Sequence, residues 1–214
     1  MAVIPVVDFS PYSLNVERGM VDEELLISIA EQICHSFTDT GFVYLKNHGI
    51  SKSDIESMFS TTKEFFEQPL DVKKRYAKNK DAKNNHGWVA RETESLNPER
   101  KVKDYKESFD YQLQESKEVK PRSSEEYIPA TPIPDTVVIN LGDSMQRWTA
   151  DKLVAGRHRV QVPPDEKKSK QGRQSIALFV HADDHVMLEC LDKSNKYEPI
   201  SSIDYLQMKF NQVY

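Results

Sequence analysis

The chain has 214 residues, of which 38% are hydrophobic and 29% charged, with 7 Gly and 11 Pro. That length fits one large domain or two small ones, and a chain of this size buries about 70% of its unfolded surface on folding, which argues against a disordered or fibrous protein. The 29 Lys and Arg against 34 Asp and Glu give a net charge of -5, which supplies no field for holding a polyanion, so no nucleic-acid partner is expected.

In chain order, Val3 to Phe9 is apolar, carries β-branched residues and contains Pro5, a pattern that predicts a short edge strand. From about Glu17 to Thr38, Leu25, Leu26, Ile29, Ala30, Ile33, Cys34 and Phe37 recur at steps of three and four, the period of an amphipathic helix. Gly41 supplies its stop. Phe42 to Leu45 predicts a compact strand, Asn47-His48-Gly49 a turn, and Ser51-x-x-Asp54 the cap of a second helix. That helix carries Ile55, Met58, Phe59, Thr62, Phe65 and Phe66 on one face, read as core packing, and ends before Pro69. A shorter helix over Leu70 to Ala77 follows. Lys78 to Arg100 is polar and reads as a long loop.

Tyr105, Glu107, Phe109, Tyr111 and Leu113 alternate with polar residues, which predicts a strand with an acid on its apolar face. A buried Glu107 needs a partner, and a structural ion pair is the expected one. Gln114 to Asp135 is charged and rich in Ser and Pro, with no helical or strand period. Beyond it the chain predicts a strand over Thr136 to Leu141, a Gly142-Asp143 turn, a short helix around Met145 to Leu153 and a strand over Arg157 to Val162. After a loop from Pro163 to Gly172, Arg173 to His181 predicts a second strand, pairing with the first as a hairpin. Ser201 to Phe210 closes the chain as a helix. Two cysteines, Cys34 and Cys190, make no disulfide framework, and no charged segment followed by an apolar one opens the sequence, so a cytoplasmic protein is expected. Apolar runs such as Ile176 to Val180 fall far short of the roughly 20 residues of a membrane span, so no membrane partner is expected.

The six histidines are His35, His48, His86, His158, His181 and His185, and none belongs to a familiar zinc, nucleophile-elbow or phosphate-loop motif. In the predicted hairpin, His158, Val160 and Val162 share one strand face, and Arg173, Ser175, Ala177 and Phe179 share a face of the next. An Arg among Ala and Phe calls for an anion, and its planar fork beside a hydroxyl suits a carboxylate. The alternative is a surface Arg and an ordinary strand Ser.

Several blocks occur in order: Ile4-Pro5-Val6-Val7-Asp8-Phe9, Gly41-Phe42-Val43-Tyr44 with Asn47-His48-Gly49-Ile50, Lys106-Glu107, Val137 through Asp143, His158-Arg159-Val160 and Arg173-x-Ser175. Together they resemble the isopenicillin N synthase-like branch of the iron(II)/2-oxoglutarate-dependent dioxygenases, over nearly the whole chain. The resemblance implies an α+β fold with a mostly β core, a double-stranded β-helix or jelly roll flanked by N-terminal helices. It implies iron(II) and 2-oxoglutarate as cofactors and oxidation or hydroxylation of a small molecule coupled to 2-oxoglutarate decarboxylation. Iron in such enzymes is held by a His-x-Asp and a distant His. By position, His158 matches the distal iron ligand, and Arg173 and Ser175 match the pair that binds the far carboxylate of 2-oxoglutarate. The implied organisation is an N-terminal helical and edge-strand region over 1–113, an irregular seam over 114–135, and the C-terminal half of the jelly roll with its closing helix over 136–214.

The sequence departs from the family's order at one point. Tyr127 to Pro132 resembles the stretch just before the Asn-x-Gly-Asp block, so the iron-binding His-x-Asp belongs between about Lys117 and Glu126, where none occurs. The sole His-x-Asp is His181-Ala182-Asp183, downstream of His158 and of Arg173-x-Ser175, and it reads as turn composition. One imidazole does not impose an iron geometry, so no catalytic residue is assigned and the jelly roll is expected to be incomplete. Two readings follow: a shortened, inactive oxygenase-family chain, such as a splice product or an incomplete gene model, or a non-catalytic member that binds a 2-oxo acid or a protein partner. Loss of interior strands is expected to leave unpaired edges. Substrate and oligomeric state are not legible.

Overall fold

The computed structural model describes residues 3–17, 19, 22–78, 87–91, 106–110, 118–120, 126–159 and 173–213. The chain divides into two compact units, Met1–Ile55 with Ser116–Gln171 and Leu188–Pro199, and Glu56–Glu115 with Gly172–Met187 and Ile200–Tyr214.

The first unit is built on strand β2 (Phe42–Lys46), which runs between the parallel edge strand β1 (Val6–Asp8) and the antiparallel β7 (Thr136–Asn140). The register sets Val6 opposite Tyr44, and Tyr44 opposite Val138. Both faces of β2 are covered. Phe42 and Tyr44 pack with Ile4, Ile128 and Ala130, while Val43 and Leu45 pack with Val7 and with Ile29, Ile33 and Phe37 of helix α1 (Glu23–Asp39). Each fully buried side chain of this kind contributes about 1.5–3 kcal/mol. The helix starts where the Asp22 carboxylate accepts from the amides of Glu24 and Leu25, at 2.8 and 3.3 Å, satisfying two of its orphan donors. It ends at Thr40, and Gly41 takes a φ of 71°, the left-handed conformation that glycine adopts most readily.

Gly156 reinforces that corner. Its backbone runs so close to β2 that a Cβ there would lie 2.0 Å from Phe42 Cε2, and one on Gly41 would lie 2.6 Å from Gly156 N. Helix α4 (Asp143–Trp148) precedes this loop, and β8 (Arg157–Arg159) follows it. A second sheet places β5 (Glu118–Lys120) between β6 (Ile128–Pro129) and β8. Thus two short strands lie in the charged stretch that shows no strand period. Pairing, a non-local property, makes them.

Helix α2 (Lys52–Phe66) is capped as expected, the Asp54 amide donating to Ser51 Oγ at 3.1 Å, and from Glu56 onward it belongs to the second unit. A short helix, α3 (Leu70–Lys74), follows, three residues shorter than its apolar pattern suggests. The apolar stripe of α2 is less enclosed than expected: none of its residues is buried, and Met58 is 52% exposed. Phe65 packs edge-on with Phe109, their centroids 4.8 Å apart. The long-loop reading of Lys78 to Arg100 also needs correction. Gly87–Val89 forms β3, antiparallel to β4 (Ser108–Asp110), with Trp88 opposite Phe109. The Trp88 amide also donates to Tyr76 O at 2.7 Å.

The largest departure concerns the predicted hairpin. Arg173 to His181 forms no strand, so the pairing of this segment with Arg157 to Val162 is not observed, and Val160 and Val162 lie outside the described residues. A β-rich sequence becomes a strand only against a partner. Leu178 and Val180 instead stand 90% and 87% exposed. Short strands β9 (Met187–Leu188) and β10 (Ile200–Ser201) precede the closing helix α5 (Ser202–Val213), which starts one residue after its predicted position. No helix among the described residues is long and apolar enough to cross a membrane.

The Phe42–Gly156 contact yields a direct test. Gly156→Ala forces the new methyl into the Phe42 ring and should cost about 1–3 kcal/mol of stability by chemical denaturation. Combining it with Phe42→Leu should cost less than the sum of the two single changes, because the smaller side chain gives the methyl room.

Candidate functional site

His158 is the half-buried centre of β8. Its Nδ1 lies 2.7 Å from Gly156 O, and its ring stands edge-on to Phe42 with centroids 5.7 Å apart. An Nδ1–H donating to that carbonyl fixes the tautomer of the neutral ring and leaves the lone pair on Nε2. Gly156 N donates in turn to Leu141 O at 3.4 Å, and Leu141 N to Gly41 O at 3.1 Å. The imidazole is therefore positioned by the β2–β7 corner, through residues that sequence reasoning did not single out for this role. Opposite His158 in the β5 register stands Val119, flanked by Glu118 opposite Arg159 and Lys120 opposite Arg157. The Arg159 guanidinium lies over the Tyr127 ring at 4.2 Å, a cation–π contact.

Arg173 and Ser175 belong to the second unit, whereas His158 belongs to the first. Arg173 is exposed and Ser175 half-buried. Between them, the Gln174 amide nitrogen lies 3.4 Å from Phe59 O and from Thr62 Oγ1, tying the segment to α2. His181 is exposed and stacks on Phe179, the rings 7° from parallel at 6.3 Å. Asp183 O accepts from Val186 N at 2.9 Å, closing a turn that follows His181-Ala182. His48 also holds a turn: Ile50 N donates to its Nδ1 at 3.1 Å, and Nε2 is buried without a partner. His86 lies outside the described residues, and His35 and His185 are exposed.

Glu107, immediately before β4, has the partners that a buried acid calls for. Its Oε1 accepts from Lys73 Nζ at 2.5 Å and from Trp88 Nε1 at 2.7 Å, and the Lys73 and Glu107 side chains are only 12% and 14% exposed. Lys73 also donates to Phe66 O at 3.0 Å. This closed pair holds α3 to the β3–β4 hairpin. An open recess of about 520 Å³ lies nearby, walled by Phe65, Tyr76 and Phe109. Neither Arg173 nor Ser175 lines it, so it is separate from the predicted carboxylate pair.

A second polar cluster, in the first unit, escaped sequence reasoning because its members are far apart in the chain. Asp151, in a left-handed conformation, accepts from Tyr197 Oη at 2.9 Å, from Gln146 Nε2 at 2.9 Å and from Lys196 Nζ at 2.5 Å. Arg147 lies over the Tyr197 ring at 4.9 Å and donates to Glu198 O. The Lys196 hydrogen bond, with those of Gln146 and Tyr197, holds the Asp151 carboxyl below its ordinary range, and hydrogen bonding to Asp151 raises the Tyr197 hydroxyl. The cluster clasps the 188–199 segment to α4.

Two family models match the sequence: the N-terminal region of "non-haem dioxygenase in morphine synthesis" over residues 4–132, and the "2OG-Fe(II) oxygenase superfamily" over residues 107–182. The chain belongs to the iron(II)/2-oxoglutarate oxygenase family. Among curated relatives, the 2-oxoglutarate-dependent dioxygenase htyE of Aspergillus rugulosus is 32% identical over 105 residues, covering 44% of this chain and 32% of the relative. Leucoanthocyanidin dioxygenase of Perilla frutescens is 31% identical over 118 residues, covering 54% and 32%. The chain thus spans about a third of the length of the curated relatives it matches. The fold is shared with solved oxygenases. A full-length protein of Neurospora crassa, crystallised in complex with alpha-KG and thymine, superposes with a TM-score of 0.71 at 18% identity, covering 97% of this chain and 96% of that one. The rice dioxygenase for auxin oxidation gives 0.62 at 15% identity, covering 98% and 95%.

The family uses iron(II) and 2-oxoglutarate. The Nδ1–H bond to Gly156 O leaves Nε2 as the ring nitrogen that could face a metal, but one imidazole does not make a complete iron centre, and the strand paired with His158 is Glu-Val-Lys, with no second histidine. Among the described residues, no three His, Cys, Asp or Glu side chains converge in a way that could hold a metal ion.

Two measurements test these assignments. Lys73→Met leaves a buried carboxylate uncompensated and should cost about 3 kcal/mol by urea denaturation, most of it recovered in Lys73→Met/Glu107→Leu. A carboxyl with a depressed folded pKa adds stability that is full above its unfolded value of about 3.9 and is lost as pH falls through the folded value. Asp151→Asn should therefore be less stable than the parent near neutrality, with the gap closing in acid.

Proposed function

We propose that this chain is a shortened iron(II)/2-oxoglutarate oxygenase, from a lineage that oxidises or hydroxylates a small molecule, whose iron centre is incomplete so that it does not turn over 2-oxoglutarate. The observation that carries this reading is the motif order. The sole His-x-Asp, His181-Ala182-Asp183, follows both His158 and Arg173-x-Ser175, and it lies outside any strand, leading into the turn closed by Val186 N on Asp183 O. His158 is the remnant of the distal iron ligand. Arg173 and Ser175 are the remnant of the pair that grips the far carboxylate, where a guanidinium fork and a hydroxyl match two oxygens.

The jelly roll of the family is likewise incomplete in this reading. Strand β7 has β2 on one side and, among the described residues, no strand on the other, and its Val138 and Ile139 are 48% and 38% exposed. The Ile176 to Val180 run is exposed as well. Interior strands of a barrel do not show apolar edges to water, so both features support the absence of neighbouring strands.

A second reading, a non-catalytic member that binds a 2-oxo acid, is favoured by retention of Arg173-x-Ser175. Anaerobic loading with iron(II) followed by aerobic 2-oxoglutarate turnover separates an enzyme from both. The expected result is no iron-dependent succinate, and succinate production abolished by His158→Ala overturns the proposal. A rise in melting temperature with 2-oxoglutarate that Arg173→Ala removes would favour the binding protein.

A further inference from the structure

The recess of about 520 Å³ in the second unit is built by three elements. Thr61, Glu64, Phe65 and Gln68, spaced by three and four residues, come from one face of α2 and the turn just past it. Val72 and Tyr76 come from α3 and the turn that follows, and Phe109 from β4. The Phe109 ring stands at 84° to that of Phe65 with centroids 4.8 Å apart, and the Tyr76 ring at 76° and 5.9 Å. Two rings nearly perpendicular to a third make a corner of aromatic surface, and Tyr76 is 55% exposed. The walls are held in place without a ligand. Lys73 is bound to Glu107 and to Phe66 O, and the Trp88 amide donates to Tyr76 O, so α3 is fixed against the β3–β4 hairpin.

The charge of the lining selects the occupant. Among the described residues, Glu64 is the one charged group that lines the recess, and no Lys or Arg does. Its carboxylate accepts from Ser60 Oγ at 3.4 Å and, among the described residues, forms no ion pair. The Gln68 side-chain amide donates to Glu64 O at 3.2 Å, which leaves its own carbonyl oxygen as an acceptor. The neighbouring cations are engaged elsewhere: Lys73 with Glu107 and over the Trp88 ring, Lys63 with Glu67. Lys74 and Arg75 are exposed and do not line the recess. An aromatic face is electronegative, so ring walls beside a carboxylate attract a cation that carries apolar substituents. An anion would meet Glu64 with no cation to balance it. We propose that this recess binds a small quaternary or methylated ammonium compound, its methyl groups against Phe65, Tyr76 and Phe109 and its charge beside Glu64. The volume lies within the range of about 300–1,000 Å³ that small-molecule sites occupy. The proposal does not rest on the loss of the iron centre or on Arg173 and Ser175.

Calorimetric titration of the whole chain with choline, and with its uncharged carbon analogue in which a tert-butyl group replaces trimethylammonium, tests the assignment. The two compounds share a shape, so the difference between them reads the charge. Choline should bind saturably, one per chain, and the analogue should bind about tenfold more weakly or worse. Tyr76→Leu removes an exposed ring and should weaken choline about two- to fivefold, whereas Tyr76→Phe keeps the ring and should bind as the parent does. Glu64→Gln should weaken choline by a similar factor, and the parent's affinity should fall as salt is added. Glu67→Gln, outside the lining, should change nothing. Tyr76 and Glu64 are both exposed, so the melts of their variants should stay close to the parent's. Absence of saturable choline binding overturns the proposal. So does an uncharged analogue that binds as tightly, or a choline affinity indifferent to both Tyr76→Leu and Glu64→Gln.

Discussion

The first unit depends on burying β2 from both sides. A strand that alternates Phe42 and Tyr44 with Val43 and Leu45 has no polar face to offer water, so it must lie between two apolar layers. Helix α1 supplies one layer, and Ile4, Ile128 and Ala130 supply the other. The second layer is thin at Phe42, where the chain at Gly156 approaches closely enough to exclude any side chain. Two residues later comes His158, whose Nδ1 is bound to the Gly156 carbonyl and whose ring abuts Phe42. Core packing thereby fixes the orientation of the His158 ring.

The residues that match the family's motif blocks, His158 on one side and Arg173 with Ser175 on the other, have different structural supports. His158 stands in a paired strand of the first unit, backed by buried side chains. Arg173 and Ser175 stand in the second unit, on a segment without a strand of its own. A catalytic constellation works only when its members are held to within a fraction of an ångström by their neighbours. Retaining the residues of such a constellation is a weaker condition than retaining that support.

What was legible in the sequence was local. The period of α1, the cap at Ser51, the stop at Gly41 and the apolar run of β2 each depend on residues within a few positions of one another, and all appear in the structure. Glu107 was legible too, because an acid on an apolar strand face must find a cation, and it finds Lys73. The misses share one physical cause. β3 and β5 are three residues long and exist only through partners elsewhere in the chain. Arg173 to His181 has the composition of a strand, yet forms none in the structure, because composition alone does not make a strand. The Asp151 clasp joins residues 46 apart, and no local pattern announces it. At the candidate site, the motif blocks point to His158, whereas the roles of Phe42 and Gly156 in orienting its ring arise from packing and could be seen only in three dimensions.

Whether the iron centre is incomplete can be measured without any turnover. Anaerobic equilibrium dialysis of the chain against iron(II) in the presence of 2-oxoglutarate reads the site directly. We expect only weak binding, below one iron per chain and unchanged in His158→Ala. Saturable binding of one iron per chain that His158→Ala abolishes would contradict the loss of the centre and, with it, the reading of this chain as an inactive member of its family.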